Sequence, residues 1–195
     1  MILVTGASGL VGGEVVRQLA GQQVPVRALV RDPARAPDLA ALPGVEIVTG
    51  DLGRPESLGP ALEDVGQAVL ISSSDATMAE VQNSFTDTAA KAGVGHVVKL
   101  SGIIPGLDSP FRFARMHAEI EEHMAASGLT YTVLRAGEFM QAYFRQVPNI
   151  VGRHELRLPM ADQRIASIDI VDIAAVAVAV RVLTGTGHEN QTYPA

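Results

Sequence analysis

The chain begins with the stretch MILVTGASGLVGG (residues 1–13), in which an apolar run leads directly into a turn with glycine at every third position. After Gly12 the apolar residues Val15, Val16 and Leu19 recur at helical spacing, so the turn is predicted to open a helix. A strand, a Gly-x-x-Gly-x-x-Gly turn and a helix N-terminus in this order are typical of a dinucleotide-binding site. A glycine triplet also occurs in ordinary turns, but its place between a strand and an amphipathic helix favours the nucleotide interpretation.

The three glycines of this turn have separate predicted tasks. Gly6 permits the tight turn, Gly9 lets the backbone approach a pyrophosphate, and Gly12 lets the helix pack against the strand. Free backbone amides and the positive end of the helix dipole are predicted to hold the phosphates. The residues predicted to bind the cofactor in this turn are Thr5, Gly6, Ser8, Gly9, Leu10, Val11 and Gly12.

Length and composition indicate a single α/β domain. The chain has 195 residues, of which 47% are hydrophobic and 18% charged, which suits strands covered on both faces. The net charge of −6, without a stripe of Lys and Arg, argues against nucleic acid as a partner. The absence of cysteine excludes disulfides, thiolate metal sites and cysteine nucleophiles, and it suits a reducing cytoplasm.

No targeting or membrane segment is predicted. The N-terminus lacks the basic and apolar regions of a signal peptide. The apolar run 170–183 is too short to span a bilayer, and it contains Asp172 and Arg181. We therefore expect a cytoplasmic domain without a membrane partner.

Strand-like runs alternate with helical stretches at a spacing typical of βαβ units. The predicted strands are residues 2–5, 24–30, 45–49, 68–71, 96–100, 131–134, 164–168 and an edge strand at 191–193. The predicted helices are residues 10–20, 55–62, 77–92, 110–127, 138–145 and 170–183, with Pro55 and Pro110 in first turns, Gly93 and Gly128 as stops, and a loop bounded by Pro148 and Pro159.

Right-handed crossovers then predict a doubly wound parallel sheet of Rossmann type, flanked by helices, with a ligand crevice at the carboxyl ends of the strands. We expect a single NAD(P)-binding domain over residues 1–195. Residues 136–170 and 185–195 are predicted to form a small substrate-side portion, a reduced C-terminal lobe.

The end of the second predicted strand bears on which dinucleotide binds. Arg31 and Arg35 would suit the 2′-phosphate of NADP, whereas Asp32 keeps NAD open, and a solvated loop with Arg–Asp pairs is the alternative. Asp51, followed by Leu52, offers a carboxylate to an adenine amino group or caps a turn. The three serines after the fourth strand are predicted to lie near the nicotinamide ribose, with ordinary turn duty as the alternative; they are Ser72, Ser73 and Ser74.

With these residues placed, the chain resembles the NmrA-like atypical short-chain dehydrogenase/reductases, and within them the type-2 NAD(P)H:quinone oxidoreductases. The resemblance rests on the segments TGASGLVG (5–12), VRALVRDPARA (26–36), Gly-Asp-Leu (50–52), LISSS (70–74), HAEIE (117–121), SGLTYTVLR (127–135), IASIDIVDI (165–173) and GHE through Tyr193 (187–193). It implies a reduced nicotinamide cofactor that donates hydride to a quinone-like or other conjugated acceptor.

The chain departs from this pattern in two places. The superfamily's Tyr-x-x-x-Lys pair corresponds to Phe113 and His117, which disfavours alcohol or ketone chemistry through a tyrosine acid. A quinone depends less on a protein acid, because its ring delocalises the negative charge that hydride delivers. The chain also ends at Ala195, where the family's C-terminal lobe would begin, so we expect an open acceptor site.

Several residues are candidates for the chemistry. His117 takes the superfamily's lysine position and is predicted to contact the nicotinamide ribose or deliver a proton, with a surface pair to Glu121 as the alternative. Ser101 falls where the superfamily's catalytic serine lies, and its hydroxyl is predicted to orient the acceptor carbonyl, with a plain loop serine as the alternative. Phe139 and Tyr143 are predicted to sandwich a ring substrate, with core packing or a dimer face as the alternative. No spacing of carboxylates and histidines predicts a metal site.

We therefore predict an NADPH-dependent oxidoreductase that transfers hydride to a quinone or similar conjugated acceptor. The alternative is a non-catalytic NAD(P)-binding sensor or regulatory protein, which the missing Tyr-Lys pair favours. A sugar epimerase or dehydratase is disfavoured, since those reactions depend on the tyrosine. A homodimer remains open, and Arg135 is expected to pair with a carboxylate near the substrate loop.

Overall fold

A parallel β-sheet organises the computed structural model, which describes residues 1–157, 166–182 and 187–194. The strands of this described part are β1 (Ile2–Val4), β2 (Val26–Val30), β3 (Val45–Thr49), β4 (Gln67–Leu70), β5 (His96–Gly102), β6 (Tyr131–Ala136), β7 (Glu138–Phe139), β8 (Ser167–Ile168) and β9 (Gln191–Pro194). Seven of them form the sheet in the order β3-β2-β1-β4-β5-β6-β9, and every pair is parallel. Strands β7 and β8 pair with each other in a small second sheet.

Helices cover both faces of the large sheet. They are α1 (Leu10–Gly21), α2 (Pro37–Ala40), α3 (Gly59–Leu62), α4 (Met78–Lys91), α5 (Arg112–Ala126), α6 (Val147–Arg153) and α7 (Ile170–Val182), with 3₁₀ turns at Pro33–Arg35, Pro55–Ser57 and Met140–Gln146. No helix in the described residues is long and apolar enough to cross a membrane.

Two apolar cores lie on opposite faces of the sheet. On one face α1 and α7 pack on the strands through Val15, Leu19, Ile173 and Ala177 among others. On the other face α3, α4 and α5 pack on the strands through residues that include Leu62, Phe85 and Met124. The alternating strand residues Leu3 and Val4 point into different cores. The predicted doubly wound parallel sheet with flanking helices is confirmed.

Most predicted elements differ from the observed ones only at their ends. Gly93 and Gly128 follow α4 and α5 with φ of +79° at both positions, as helix stops do. The predicted helix 55–62 is broken at Leu58, because Pro60 lacks an N–H and restricts the residue before it. Helix α5 begins at Arg112, so the prediction of Pro110 in its first turn is wrong.

The predicted helix over 138–145 is observed only in part, as a 3₁₀ helix over Met140–Gln146. Residues Glu138–Phe139 form β7, which pairs with β8, and a 3₁₀ turn follows. The tertiary pairing of Phe139 with Ile168 outweighs the local helical pattern. Pro148 lies in the first turn of α6 rather than bounding a loop, a position where its missing N–H costs nothing. Pro159 and the predicted strand residues 164–165 lie outside the described part, as does residue 183.

The order of the strands reverses between β1 and β4, which places a crevice at their carboxyl ends. Thr5 ties the two strand ends together there. Its hydroxyl donates to the Ile71 carbonyl at 2.7 Å and accepts from the Ile71 amide at 2.8 Å. The turn after β1 is therefore held against the end of β4 by a buried side chain.

Close packing of α1 on this turn requires glycine at position 12. A Cβ on Gly12 would lie 2.3 Å from the carbonyl oxygen of Gly6, which is backbone and cannot rotate away. At Gly21, the last residue of the same helix, a Cβ would meet nothing within 4 Å.

We expect Gly12→Ala to lower the free energy of unfolding by about 1–3 kcal/mol, the usual cost of overpacking. Gly21→Ala is the matched control, and its stability should be unchanged or slightly raised. Urea denaturation followed by circular dichroism measures both. Equal stability of the two variants would contradict the close approach of helix and turn.

Candidate functional site

A cleft of about 820 Å³ runs along the carboxyl ends of the strands. All but two of the residues predicted to bind cofactor or substrate line it: Gly6, Ser8, Gly9, Leu10, Val11, Gly12, Arg31, Arg35, Asp51, Leu52, Ser72, Ser73, Ser74, Ser101, His117 and Phe139. The fold therefore gathers residues from loops, strands and helices along the chain into one cavity. The two exceptions are Thr5 and Tyr143.

Thr5 and Tyr143 serve neighbouring protein groups. The Thr5 side chain is buried beneath the glycine turn and bonds Ile71. The Tyr143 hydroxyl lies 2.8 Å from the Ser167 hydroxyl and 3.4 Å from a Glu138 carboxylate oxygen, which it can donate to. Both side chains bond residues next to the cleft and do not line it themselves.

The glycine turn leaves backbone donors free at one end of the cleft. Helix α1 has Gly9 as its N-cap, without a side chain to bond the amides of the first turn. Gly6 has a φ of +61°, and a Cβ there would lie 2.8 Å from the Ile71 carbonyl oxygen. Unpaired amides at the positive end of a helix dipole suit an anionic diphosphate.

Two arginines lie beside this anion-binding end. Arg31 and Arg35 line the cleft, and neither forms an ion pair within the described residues. Asp32 is not among the lining residues; its carboxylate accepts from the Ala34 amide at 3.0 Å and caps the 3₁₀ turn. The alternative of a loop closed by Arg–Asp pairs is absent from this part of the structure.

Asp51 and the three serines line the cleft just after β3 and β4. The Asp51 carboxylate accepts from the Gly53 amide at 3.0 Å, so it caps a turn while it lines the cleft. Ser73 donates to Asp75 at 2.6 Å, and this bond, followed by one from Thr77, lowers the pKa of Asp75. Hydrogen bonds among Ser73, Asp75 and Thr77 therefore stabilise the loop that follows β4.

Gln82 is a lining residue that sequence reasoning missed. It is buried on α4 and donates to the Ser72 hydroxyl at 2.8 Å. Its side-chain oxygen Oε1 has no hydrogen-bond partner within the described residues. A polar residue in the apolar stripe of a helix was the available signal in the sequence.

Polar side chains from β5, α5 and β6 meet at the other end of the cleft. The Ser101 hydroxyl donates to Glu121 at 2.5 Å, and Arg135 holds the same carboxylate with an N–O distance of 2.6 Å. Lys99 Nζ lies 3.1 Å from His117 Nδ1. We call these five residues the β5–α5 cluster. The expected pairing of Arg135 with a carboxylate is confirmed, and the alternative pair of His117 with Glu121 is wrong, because the carboxylate faces Arg135 instead.

Burial sets the charge state of the cluster. It lowers the pKa of Lys99 to about 7, with Glu121 raising it and Arg135 lowering it further. Burial, together with the charge of Lys99, lowers the pKa of His117 to about 3, so the imidazole is neutral at physiological pH. Sequence reasoning missed Lys99, because it stands in the apolar run of a buried strand.

The described residues include no group of three His, Asp or Glu side chains that could hold a metal ion. The site instead combines an anion-binding turn, two free arginines and a neutral imidazole along one cleft. These features fit a dinucleotide laid from the turn towards His117, and the chemistry of such a cofactor is hydride transfer.

Comparison with known proteins agrees with this geometry. The chain matches the NAD(P)H-binding family over residues 6–181. It is 38% identical to an NAD(P)H azoreductase from Xenophilus azovorans, covering 100% of this chain and 67% of the relative. It is 34% identical to quinone oxidoreductase 2 from Escherichia coli, covering 99% of this chain and 67% of the relative.

A solved structure shows the same fold. The NADPH-dependent quinone oxidoreductase of Escherichia coli, crystallised with NADPH, superposes with a TM-score of 0.87 and 34% identity, over 99% of this chain and 68% of that one. The chain thus spans about two thirds of the length of these relatives. The predicted family and oxidoreductase class are confirmed: the chain belongs to the NAD(P)H-binding family, in the NmrA-like branch whose relatives here are NAD(P)H-dependent reductases.

Proposed function

We propose that the chain is an NADPH-dependent reductase that transfers hydride to a flat conjugated acceptor such as a quinone or an azo compound. The observation that carries this proposal is the continuity of the cleft, from the free amides after Gly9 to the imidazole of His117 and the ring of Phe139. A dinucleotide bound by its diphosphate at one end would bring its nicotinamide to the other. The cofactor supplies the hydride, and the protein supplies position and a hydrogen-bond donor.

The acceptor end of the cleft is suited to a planar molecule. Phe139 offers an aromatic face, and Ala136 and Gly137 beside it are small. Gly102 leaves room for the His117 ring, since a Cβ there would lie 2.9 Å from His117 Cδ2. Aromatic rings stack on flat apolar ligands with about 0.5–1.5 kcal/mol beyond simple burial. The names of the relatives, an azoreductase and a quinone oxidoreductase, point to acceptors of this shape.

Ser101 and His117 have different proposed tasks. The Ser101 hydroxyl donates a hydrogen bond to Glu121, which Arg135 also holds, so we assign Ser101 to the support of the cleft wall. His117 lines the cleft and is neutral, so it can donate a hydrogen bond to the oxygen or nitrogen of the acceptor. This bond would stabilise the negative charge that develops there.

A second candidate function is a non-catalytic NAD(P)-binding sensor. Phe113 stands where the superfamily has its catalytic tyrosine, and it packs beside Met78, Met116 and Ile120. Its ring contacts Phe111 edge-on, with centroids 5.6 Å apart. This position has no ionisable group, which favours the sensor unless the acceptor needs no tyrosine acid. Cytoplasmic location and dimerisation remain predictions from the sequence.

Oxidation of NADPH in the presence of quinones, azo dyes and flavins tests the proposed function. We expect acceptor-dependent loss of absorbance of the reduced cofactor well above the protein-free rate. Phe139→Leu should raise the KM for a ring acceptor about 3- to 10-fold, as the loss of stacking predicts. Phe111→Leu is the matched control, because Phe111 is exposed and does not line the cleft. Tight binding of NADPH without turnover of any acceptor would favour the sensor.

The two free arginines predict a preference for NADPH over NADH. Arg31→Ala should weaken NADPH binding about 10- to 100-fold, the value of a charge-assisted hydrogen bond to the 2′-phosphate, and leave NADH binding nearly unchanged. Arg54→Ala is the control for loss of one positive charge, since Arg54 is exposed and lies outside the cleft. Calorimetric titration with both cofactors measures the dissociation constants of NADPH and NADH, whose ratio gives the preference. An equal loss for NADPH and NADH would show that Arg31 does not read the phosphate.

A further inference from the structure

Lys99 is buried in an apolar strand, and its amine contacts His117, which lines the cleft. The residue is fully buried, at 0% exposure, and it is one of two lysines in the chain. Within the described residues its Nζ contacts His117 Nδ1 at 3.1 Å and the Leu100 carbonyl oxygen at 3.2 Å. A charged amine in such surroundings is destabilised by loss of its hydration unless its contacts compensate for that loss. The proposed function gives this residue no task.

The contact with Lys99 decides which nitrogen of His117 carries a proton. While Lys99 is protonated its ammonium only donates hydrogen bonds, so in that state His117 Nδ1 accepts and bears no hydrogen. A neutral imidazole then carries its proton on Nε2. This nitrogen lies on the side of the ring that packs over Gly102, where a Cβ would come within 3.4 Å of it, and both residues line the cleft.

The charged groups around Lys99 leave its proton available. Glu121 on α5 and Arg135 on β6 face it, and His117 is its titratable contact. Glu121 is already held by Arg135 at 2.6 Å and by Ser101 at 2.5 Å. Lys99 therefore has no carboxylate of its own within the described residues, and His117 stands between its amine and the open cleft.

We propose that Lys99 and His117 form a proton relay that completes the reduction of the acceptor in this cleft, an inference that rests on the proposed function. When hydride reaches the acceptor, an electron pair moves onto its oxygen or nitrogen. His117 gives its Nε2 proton to that atom, while Nδ1 takes a proton from Lys99 Nζ. The imidazole stays neutral in the other tautomer, and Lys99 becomes a neutral amine.

The relay resets through the same two side chains. Water in the cleft returns a proton to His117 Nε2, and Nδ1 returns its proton to the Lys99 amine. The net balance is one hydride from the reduced nicotinamide and one proton from solvent for each acceptor reduced. Lys99 does not touch the acceptor; it acts through His117, and its low pKa of about 7 allows the proton to leave near neutral pH.

The protonation state of the pair can be measured in the protein without cofactor. Selective ¹³C,¹⁵N-lysine labelling gives signals from Lys91 and Lys99, and Lys91→Arg assigns them. We expect the Lys99 signal to titrate near pH 7, and the ¹⁵N shifts of His117 to show a neutral ring protonated at Nε2. Titration of Lys99 in the ordinary range of about 10.4, or a ring protonated at Nδ1, would overturn the relay.

Two substitutions at position 99 separate positioning from proton supply. Lys99→Arg keeps a donor to His117 Nδ1 but cannot release its proton, because the guanidinium pKa is above about 12. Lys99→Met removes both functions. We expect Lys99→Arg to keep the Nε2-protonated ring and Lys99→Met to lose that preference. Lys91→Met is the matched control, since Lys91 is exposed at the end of α4.

The pH profile of turnover decides whether the relay operates. In the wild type kcat/KM should fall as the pH rises through about 7, because Lys99 then loses its proton. At pH 6 the kcat/KM of both position-99 variants should be about 10- to 100-fold below that of the wild type, and it should not fall as the pH rises through about 7. The pH profile of Lys91→Met should match the wild type. If Lys99→Arg does not fold, the pH profile of Lys99→Met is compared with those of the wild type and Lys91→Met.

The failures of the two proposals are distinguishable. Turnover by Lys99→Met with the rate and pH profile of the wild type would overturn the relay and leave the proposed function standing. Absence of turnover with every acceptor would overturn the proposed function, and the relay with it, whatever the spectra show of the Lys99–His117 contact.

Discussion

The contact between the first turn of α1 and the carbonyl of Gly6 is the constraint on which the cleft depends. The helix can approach the strand end because Gly12 has no side chain, and a Cβ there would come within 2.3 Å of the Gly6 oxygen. Thr5 then joins this turn to the end of β4 through both polar groups of Ile71. As a result the free amides of α1 point into the crevice where the strand order reverses.

The two ends of the cleft are held by different forces. At the glycine turn the backbone itself supplies the polar groups, so the geometry follows from helix and strand packing. At the β5–α5 cluster the polar groups are side chains, and their burial needs compensation. Arg135 and Ser101 compensate Glu121, whereas Lys99 contacts the Leu100 carbonyl and His117, and burial lowers its pKa to about 7 although the Glu121 charge raises it. One end of the cleft therefore offers backbone donors, and the other end has a buried titratable lysine behind it.

Sequence reasoning succeeded where the chemistry is local and failed where it is not. The strand, glycine turn and helix of residues 1–21 follow from spacing alone, and this unit lies as expected at the cleft. Lys99 gave only a weak signal, because a lysine in an apolar run is read as an interruption until α5 is seen to bring His117 to it. Phe139 was assigned to a helix, since its pairing partner Ile168 lies far along the chain.

The amino-acid sequence by itself determined the fold class and the anion-binding turn, because periodicity and glycine spacing act over a few residues, and its resemblance to known reductases indicated the family. Only the tertiary structure decided which side chains share the cleft and which charges are buried. Those properties arise from parallel strands and crossovers that bring distant residues together, and desolvation depends on everything packed around a group. The burial of Lys99, which lowers its pKa, and its contact with His117 belong to this second kind.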